Sequence, residues 1–283
     1  MARDAVERGI SKPIEQGWFQ IDDFGDGIHS IFEPHHEEQV RSYLVAGAER
    51  ALLIDTGMGV GDIRAVIEDL TSLPVTVINS HAHWDHIGGN HRFAAIAIHH
   101  AEAHELPLGL SNDRVRRWFA PERLRGALPE DFDISTFAIR PSVASALLSG
   151  GERFDLGGRT LDIIHAPGHS PGGIALLDRA GGALFSTDVA YAGALYAFGS
   201  DANLADYRKT LALLAELAPA LRAVYPSHNA APISPSLLPL MHEGLEAIVA
   251  GRTPERIHCA VARHEFPDFS MLVGADSTLM ETR

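Results

Sequence analysis

Ser80-His81-Ala82-His83-Trp84-Asp85-His86 is the stretch that decides how this chain is read. Four potential metal ligands fall within six positions, directly after the β-rich apolar run Val75-Thr76-Val77-Ile78-Asn79. Residues two apart in an extended segment point the same way, so His81 and His83 can face one cation together. Asp85 and His86 follow as the chain turns, and they can reach a second cation a few ångströms away. Imidazole nitrogen and carboxylate oxygen are ligands that zinc and similar divalent metals take.

Three later positions complete the constellation. His169 lies in Ala166-Pro167-Gly168-His169-Ser170-Pro171-Gly172-Gly173, where Pro and Gly fix a sharp turn at a strand end. Asp188 follows a strand in Phe185-Ser186-Thr187-Asp188, and His228 follows another in Tyr225-Pro226-Ser227-His228-Asn229. Each is a ligand-type residue placed just after a strand, where loops gather along one edge of a sheet. Taken singly, each is weak evidence for a metal; with the His81 cluster the set is specific.

These motifs, together with Leu53-Ile54-Asp55-Thr56-Gly57, resemble those of the metallo-β-lactamase-fold hydrolase superfamily from about Gly17 to His228. The resemblance implies an α+β fold, a four-layer αββα sandwich of two mixed β-sheets flanked by helices, with two metals at its edge. It implies that His81, His83 and His169 hold one metal and that Asp85, His86 and His228 hold the other. Asp188 would bridge them, and Asp55 would orient a ligand histidine by hydrogen bond. The chain departs from the family pattern at Thr187 and Asn229, where many relatives have glycine.

Two divalent cations roughly 3.5–4 Å apart hold a bridging water whose pKa falls toward about 7. The expected reaction is therefore attack of a metal-bridging hydroxide on a thioester, ester or lactone carbonyl, with Asp85 helping to orient it. Tyr191 sits three residues after Asp188, at the spacing where lactonase-like members place a tyrosine on the substrate carbonyl. It is thus expected to support the oxyanion or the leaving group, with plain packing as the other reading.

Ile98-His99-His100-Ala101-Glu102-Ala103, the Pro-Gly-His-Ser-Pro-Gly run and Asp-x-x-Tyr are similar to a thioesterase-like branch that includes acyl-CoA and glyoxalase-II-type hydrolases. Glyoxalase II itself needs a helical C-terminal domain, and only about fifty-five residues follow His228. Alternatives are an iron-dependent oxidoreductase of the same fold, persulfide dioxygenase-like, and a β-lactamase-like amide hydrolase. Zinc suits five His and two Asp, and manganese or iron fits similar ligands. The expected partner is a small-molecule acyl substrate.

The 283 residues are 46% apolar, enough for a sizeable core. Twenty-three basic against 37 acidic residues give a formal charge of −14, which disfavours nucleic acid. No apolar run reaches membrane-spanning length and no signal peptide is visible, so a cytoplasmic protein is expected. A homodimer is compatible with the polar N-terminus and the C-terminal segment.

The chain reads as an N-terminal arm over 1–16 and a single domain over 17–283, with a partly helical insertion at about 104–150 covering the active site. That insertion mixes Pro, Arg and aromatics, and its Trp118, Phe119 and leucines could roof an acyl channel or form an ordinary covering flap. Helices are expected at about 61–70, 204–217 and 236–249, and the segment 256–272 is expected to add an edge strand. Gly57-Met58-Gly59 reads as a turn, not a nucleotide loop. His35-His36 and His99-His100 are outer candidates for the site, and the single cysteine, Cys259, reads as a small buried hydrophobe.

Overall fold

The structure is a computed structural model that describes residues 14–275. Two compact units divide the chain, one running to residue 148 with 155–159, the other holding 149–154 and 160 onward. The expected arm over 1–16 lies outside the described residues except for its last three, which form a strand.

The first unit is built on an eight-stranded sheet whose strands follow in chain order. These are β1 (Ile14–Gln16), β2 (Phe19–Asp23), β3 (Ile28–Phe32), β4 (Arg41–Ala46), β5 (Ala51–Ile54), β6 (Val75–Ile78), β7 (Ile96–His99) and β8 (Ala146–Leu148). β1 to β5 form an antiparallel meander, and β5 to β8 run parallel. Parallel neighbours need crossovers. The first is helix α1 (Ile63–Leu70), capped by the Asp62 side chain accepting from Ala65 N–H and burying Ile63, Val66 and Ile67 at helical spacing. The second contains α2 (Trp84–Ile87), a single turn in which all four residues are buried.

The third crossover is the insertion, which holds α3 (Asn112–Val115) and short 3₁₀ turns. Its aromatics are consumed by packing. Trp118 stacks on Trp84 at 4.7 Å and 2°, and Phe119 contacts Trp84, Phe132 and Phe137 at 5.5–5.7 Å. These side chains join an aromatic cluster that includes Trp84 of the ligand loop.

The second unit contains a five-stranded sheet ordered β14-β12-β11-β10-β9. Its strands are β9 (Arg153–Asp155), β10 (Thr160–His165), β11 (Ile174–Asp178), β12 (Ala183–Thr187) and β14 (Ala223–Pro226). β12 and β14 are parallel, joined through β13 (Ala194–Ala197) and α4 (Leu204–Leu217). Helix α4 packs with α5 (Leu237–Val249) through Leu211, Leu214, Met241 and Leu245.

The C-terminal segment does more than extend an edge. β15 (Arg256–His258), β16 (Val261–Glu265) and β17 (Ser270–Gly274) join β13 in a separate four-stranded sheet. Cys259 is exposed, contrary to the sequence expectation. It and Ala260 form the two-residue tip of the β15–β16 hairpin, with φ of +46° and +63°. A tip of that kind holds its residues away from any core.

Candidate metal centre

Parallel pairing explains why the first ligand group forms. Ile54 pairs with Ile78, so the segments leaving β5 and β6 start side by side at the carboxyl edge of the sheet. Asp55 is the first residue past β5 and is held at φ +62°. Its Oδ1 accepts from Ser80 N–H at 2.7 Å, and its Oδ2 accepts from Ser80 Oγ–H at 2.7 Å. The same Oδ2 accepts from His86 Nδ1 at 2.9 Å, while His81 Nδ1 donates to Ser80 Oγ at 2.9 Å.

One carboxylate therefore fixes two imidazoles, one directly and one through a serine. Each is held as the Nδ1–H tautomer, which leaves Nε2 as its ligand-type atom. Nε2 of His86 lies 3.6 Å from Asp85 Oδ2. The rings of His81 and His83 are 4.4 Å apart, and those of His81 and His86 4.3 Å apart. Ligand-type atoms of His81 and His83, of His81 and His86, and of Asp85 and His86 lie within 4.8 Å in each pair. The extended spacing that aligns His81 with His83 ends at Trp84, where α2 begins.

Several supports of this group carried no clear sequence signal. Buried Glu102, just beyond β7, accepts from Ala82 N–H at 2.5 Å and so clamps the ligand loop. Asn79 and Asn90 exchange amide hydrogen bonds at 3.0 and 2.8 Å, which ties the end of β6 to the chain after α2. Glu33 accepts from Trp18 Nε1 and, at 2.8 Å, from Met58 N–H, bracing the turn after Asp55. Burial pushes its carboxyl up to about 7, opposed by those two hydrogen bonds and reinforced by the charge of Asp85. His36 also sits beneath this region, donating from Nε2 to the Trp118 carbonyl at 2.7 Å and accepting from Glu38 N–H at Nδ1. Desolvation holds it below the usual imidazole range.

The second ligand group uses the same device of a parallel strand pair. Thr187 pairs with Pro226 after a bulge, so Asp188 and His228 leave adjacent strands at one edge. His228 Nε2 lies 2.9 Å from Asp188 Oδ2. β11 runs antiparallel to β12, which brings the β10–β11 loop and its His169 to that edge. His169 Nε2 is 3.6 Å from the same Asp188 Oδ2, and its Nδ1 donates to the Tyr196 carbonyl at 2.9 Å. All three ligand-type residues are buried.

Both departures from the family pattern stand at left-handed backbone positions, Thr187 at φ +52° and Asn229 at φ +62°. Glycine adopts that region without penalty, and a β-branched residue does so at a cost. Thr187 is anchored there by its Oγ1–H donating to the Ile174 carbonyl at 2.8 Å. Tyr191 is buried with its ring 5.3 Å from that of His228. Its O–H donates to the carbonyl of Ala194.

The donor sets suit a divalent cation. Buried imidazoles with tautomers fixed by neighbouring oxygens, beside acidic side chains, are what such ions require.

Residues 36–228 match the family described as the Metallo-beta-lactamase superfamily. The human (Homo sapiens) protein named acyl-coenzyme A thioesterase MBLAC2 is 32% identical over 214 residues, covering 71% of this chain and 76% of that protein. A solved archaeal metallo-beta-lactamase superfamily protein from Sulfolobus tokodaii superposes with a TM-score of 0.57 at 20% identity, over 83% of this chain and 90% of its own. TTHA1623, solved in a di-iron-bound form, gives 0.53 at 23% identity, over 71% of this chain and 92% of its own. Such structural likeness concerns the fold. Among the described residues, no helix is long and apolar enough to cross a membrane.

Proposed function

The chain belongs to the metallo-β-lactamase superfamily as a metal-dependent hydrolase, and on that premise we propose that it hydrolyses thioesters, with acyl-coenzyme A esters as the substrate class. The observation that carries this reading is the 32% identity over 214 residues to an acyl-coenzyme A thioesterase. The ester and the lactone are the next substrates in order.

Two divalent ions, zinc first, are the proposed cofactors. His81, His83 and His169 would hold one, Asp85, His86 and His228 the other, and Asp188 would serve both. Bound there, such ions polarise a carbonyl and make water nucleophilic near neutral pH. The chain's own contribution is preorganisation. Asp55 fixes His81 and His86 through Ser80 and directly, so the ligands need little rearrangement. Asp85 is a carboxylate suited to orient the attacking water. Tyr191 is proposed to support the substrate oxyanion or leaving group, which requires its O–H to exchange the Ala194 carbonyl for substrate.

The test is initial hydrolysis rates of zinc-loaded protein, with the Asp188→Asn variant as blank. The panel holds short- and long-chain acyl-coenzyme A, an acyl-homoserine lactone and a β-lactam. Thioester rates above all others are expected. Thioester rates equal to the blank would overturn the proposal, and oxygen uptake by iron-loaded protein would then point to oxidoreductase chemistry.

A further inference from the structure

The outward face of the C-terminal four-stranded sheet has an unexpected character for so acidic a chain. Backbone pairing places Arg256, Arg263, Leu272 and Tyr196 directly opposite one another across β15, β16, β17 and β13. Directly paired side chains share a face. The alternate positions Ala262, Met271, Val273 and Leu195 are buried in the core, so this row points outward. It is basic on β15 and β16, and aromatic on β13.

Tyr196 and Phe198 are 39% and 38% exposed, with rings 5.7 Å apart. A groove of about 500 Å³ runs over this face, lined by Phe198 and Leu272 toward one side and by Arg256, Arg263 and His258 toward the other. That is the size of a small-molecule site. Arg263 is shared with Glu265 at 2.6 Å. The Arg256 side chain has no ion pair or hydrogen bond among the described residues. The face also adjoins the second ligand group, because the carbonyl of Tyr196 accepts from His169 Nδ1.

We propose that this groove takes the phosphorylated adenosine end of a coenzyme A ester. The phosphates meet Arg256 and Arg263, and the adenine lies against the Phe198 ring, which Tyr196 flanks. Charge complementarity selects this occupant. A polyanionic carrier approaching a chain of net charge −14 is repelled unless cations are concentrated where it binds. Guanidinium groups are suited to phosphate and aromatic faces to a purine. The inference rests on the thioesterase reading, and it assigns to the segment after residue 228, beyond the family match, a role in substrate choice.

Cys259 provides the assay, because it is the chain's single cysteine and lies at the rim of the groove. Maleimide labelling of the metal-loaded protein is followed with and without adenosine 3′,5′-bisphosphate. Protection by the bisphosphate, not by adenosine, is expected, and it should be lost in Arg256→Glu. That variant places a glutamate directly opposite Arg263, a pairing the sheet accommodates. In parallel, kcat/KM is compared for an acyl-coenzyme A and the matching N-acetylcysteamine thioester, which lacks the nucleotide. The preference for the coenzyme A ester should fall about tenfold in Arg256→Glu and in Arg256→Gln, the loss of one charge-assisted contact.

Hydrolysis of both thioesters with no protection and an unchanged preference would overturn the groove while leaving the thioesterase reading intact. Protection without hydrolysis of either ester would overturn the thioesterase reading and leave a nucleotide groove in place. Protection that follows anionic vesicles or protein concentration in place of the nucleotide would overturn the proposal in favour of a membrane surface or a second copy of the chain.

Discussion

The two ligand groups of this protein are built by the same topological device but stabilised differently. In the first, four ligand-type residues come from one loop and share a carboxylate, Asp55, that holds two imidazoles at once. In the second, three residues come from three separate loops, and their supports are backbone carbonyls and left-handed residues. Failure in the first group should therefore propagate through Asp55, whereas in the second each loop should fail by itself. The contrast is between a network with one centre and an assembly with several.

The largest effect should come from Asp188, the carboxylate common to both histidines of the second group. Asp188→Asn should lower thioester turnover by more than about 100-fold, beyond the loss typical of a residue that only supports a ligand. Metal content by atomic absorption, measured alongside, should fall. Full turnover would break the idea that this residue serves both ions.

Asp55→Ala should weaken metal binding about 10- to 100-fold, and it should affect both proposed ions, at His81 and at His86, together. Competition with a chelator reads this directly. If only one ion is weakened, the single-centre description of the first group is wrong.

Acid stability tests a further support of the first unit. Neutral His36 uses both ring nitrogens, and burial lowers its pKa in the fold. Its contribution is complete above the unfolded imidazole value of about 6.5. Below that pH the unfolded chain binds the extra proton, and stability is lost by at most about 1.4 kcal/mol per pH unit. The variant His36→Gln should flatten this part of the urea-midpoint profile between pH 6.5 and 5 relative to wild type. An identical slope in both proteins would dismiss the histidine as its source.

At Thr187 the ordinary ranking of alanine above glycine should reverse. Both substitutions lose the bond to Ile174, but alanine keeps the strain at φ +52° and glycine does not. Thr187→Gly should be more stable than Thr187→Ala by about 1 kcal/mol in chemical denaturation. Equal stabilities would show that the bulge relaxes. A gain of similar size, about 1 kcal/mol, is expected from His264→Leu, because His264 is buried with both ring nitrogens unpartnered among the described residues and an apolar replacement removes that penalty. A lower midpoint would mean that the imidazole fills its site better than leucine does.

The legible parts of the molecule were those whose cause is local. Strand β6 and the ligand-type residues after it follow from an apolar run ending in alternating histidines. Helix α4 occupies the expected 204–217, with Asn203 as its cap. The Thr187 and Asn229 departures were visible as residue types, but their reason, a positive φ, belongs to the folded backbone. Glu33 and Glu102 could not be singled out. A buried glutamate becomes a brace only when Met58, Trp18 or Ala82 is folded against it from 15 to 25 residues away. The same holds for the C-terminal hairpin, where pairing with β13 joins segments more than seventy residues apart. That pairing made a new sheet and left Cys259 at its tip.

The sequence by itself determined the family, the ligand-type residues and most strands and helices, because spacing within a few residues dictates which side chains share a face. Only the tertiary structure decided which groups orient those residues and which tautomer His81, His86 and His169 hold. It also decided that two arginines, a leucine and a tyrosine on four strands would form one surface. Those outcomes depend on strand register and on burial, and both are set by contacts between segments that no local pattern records.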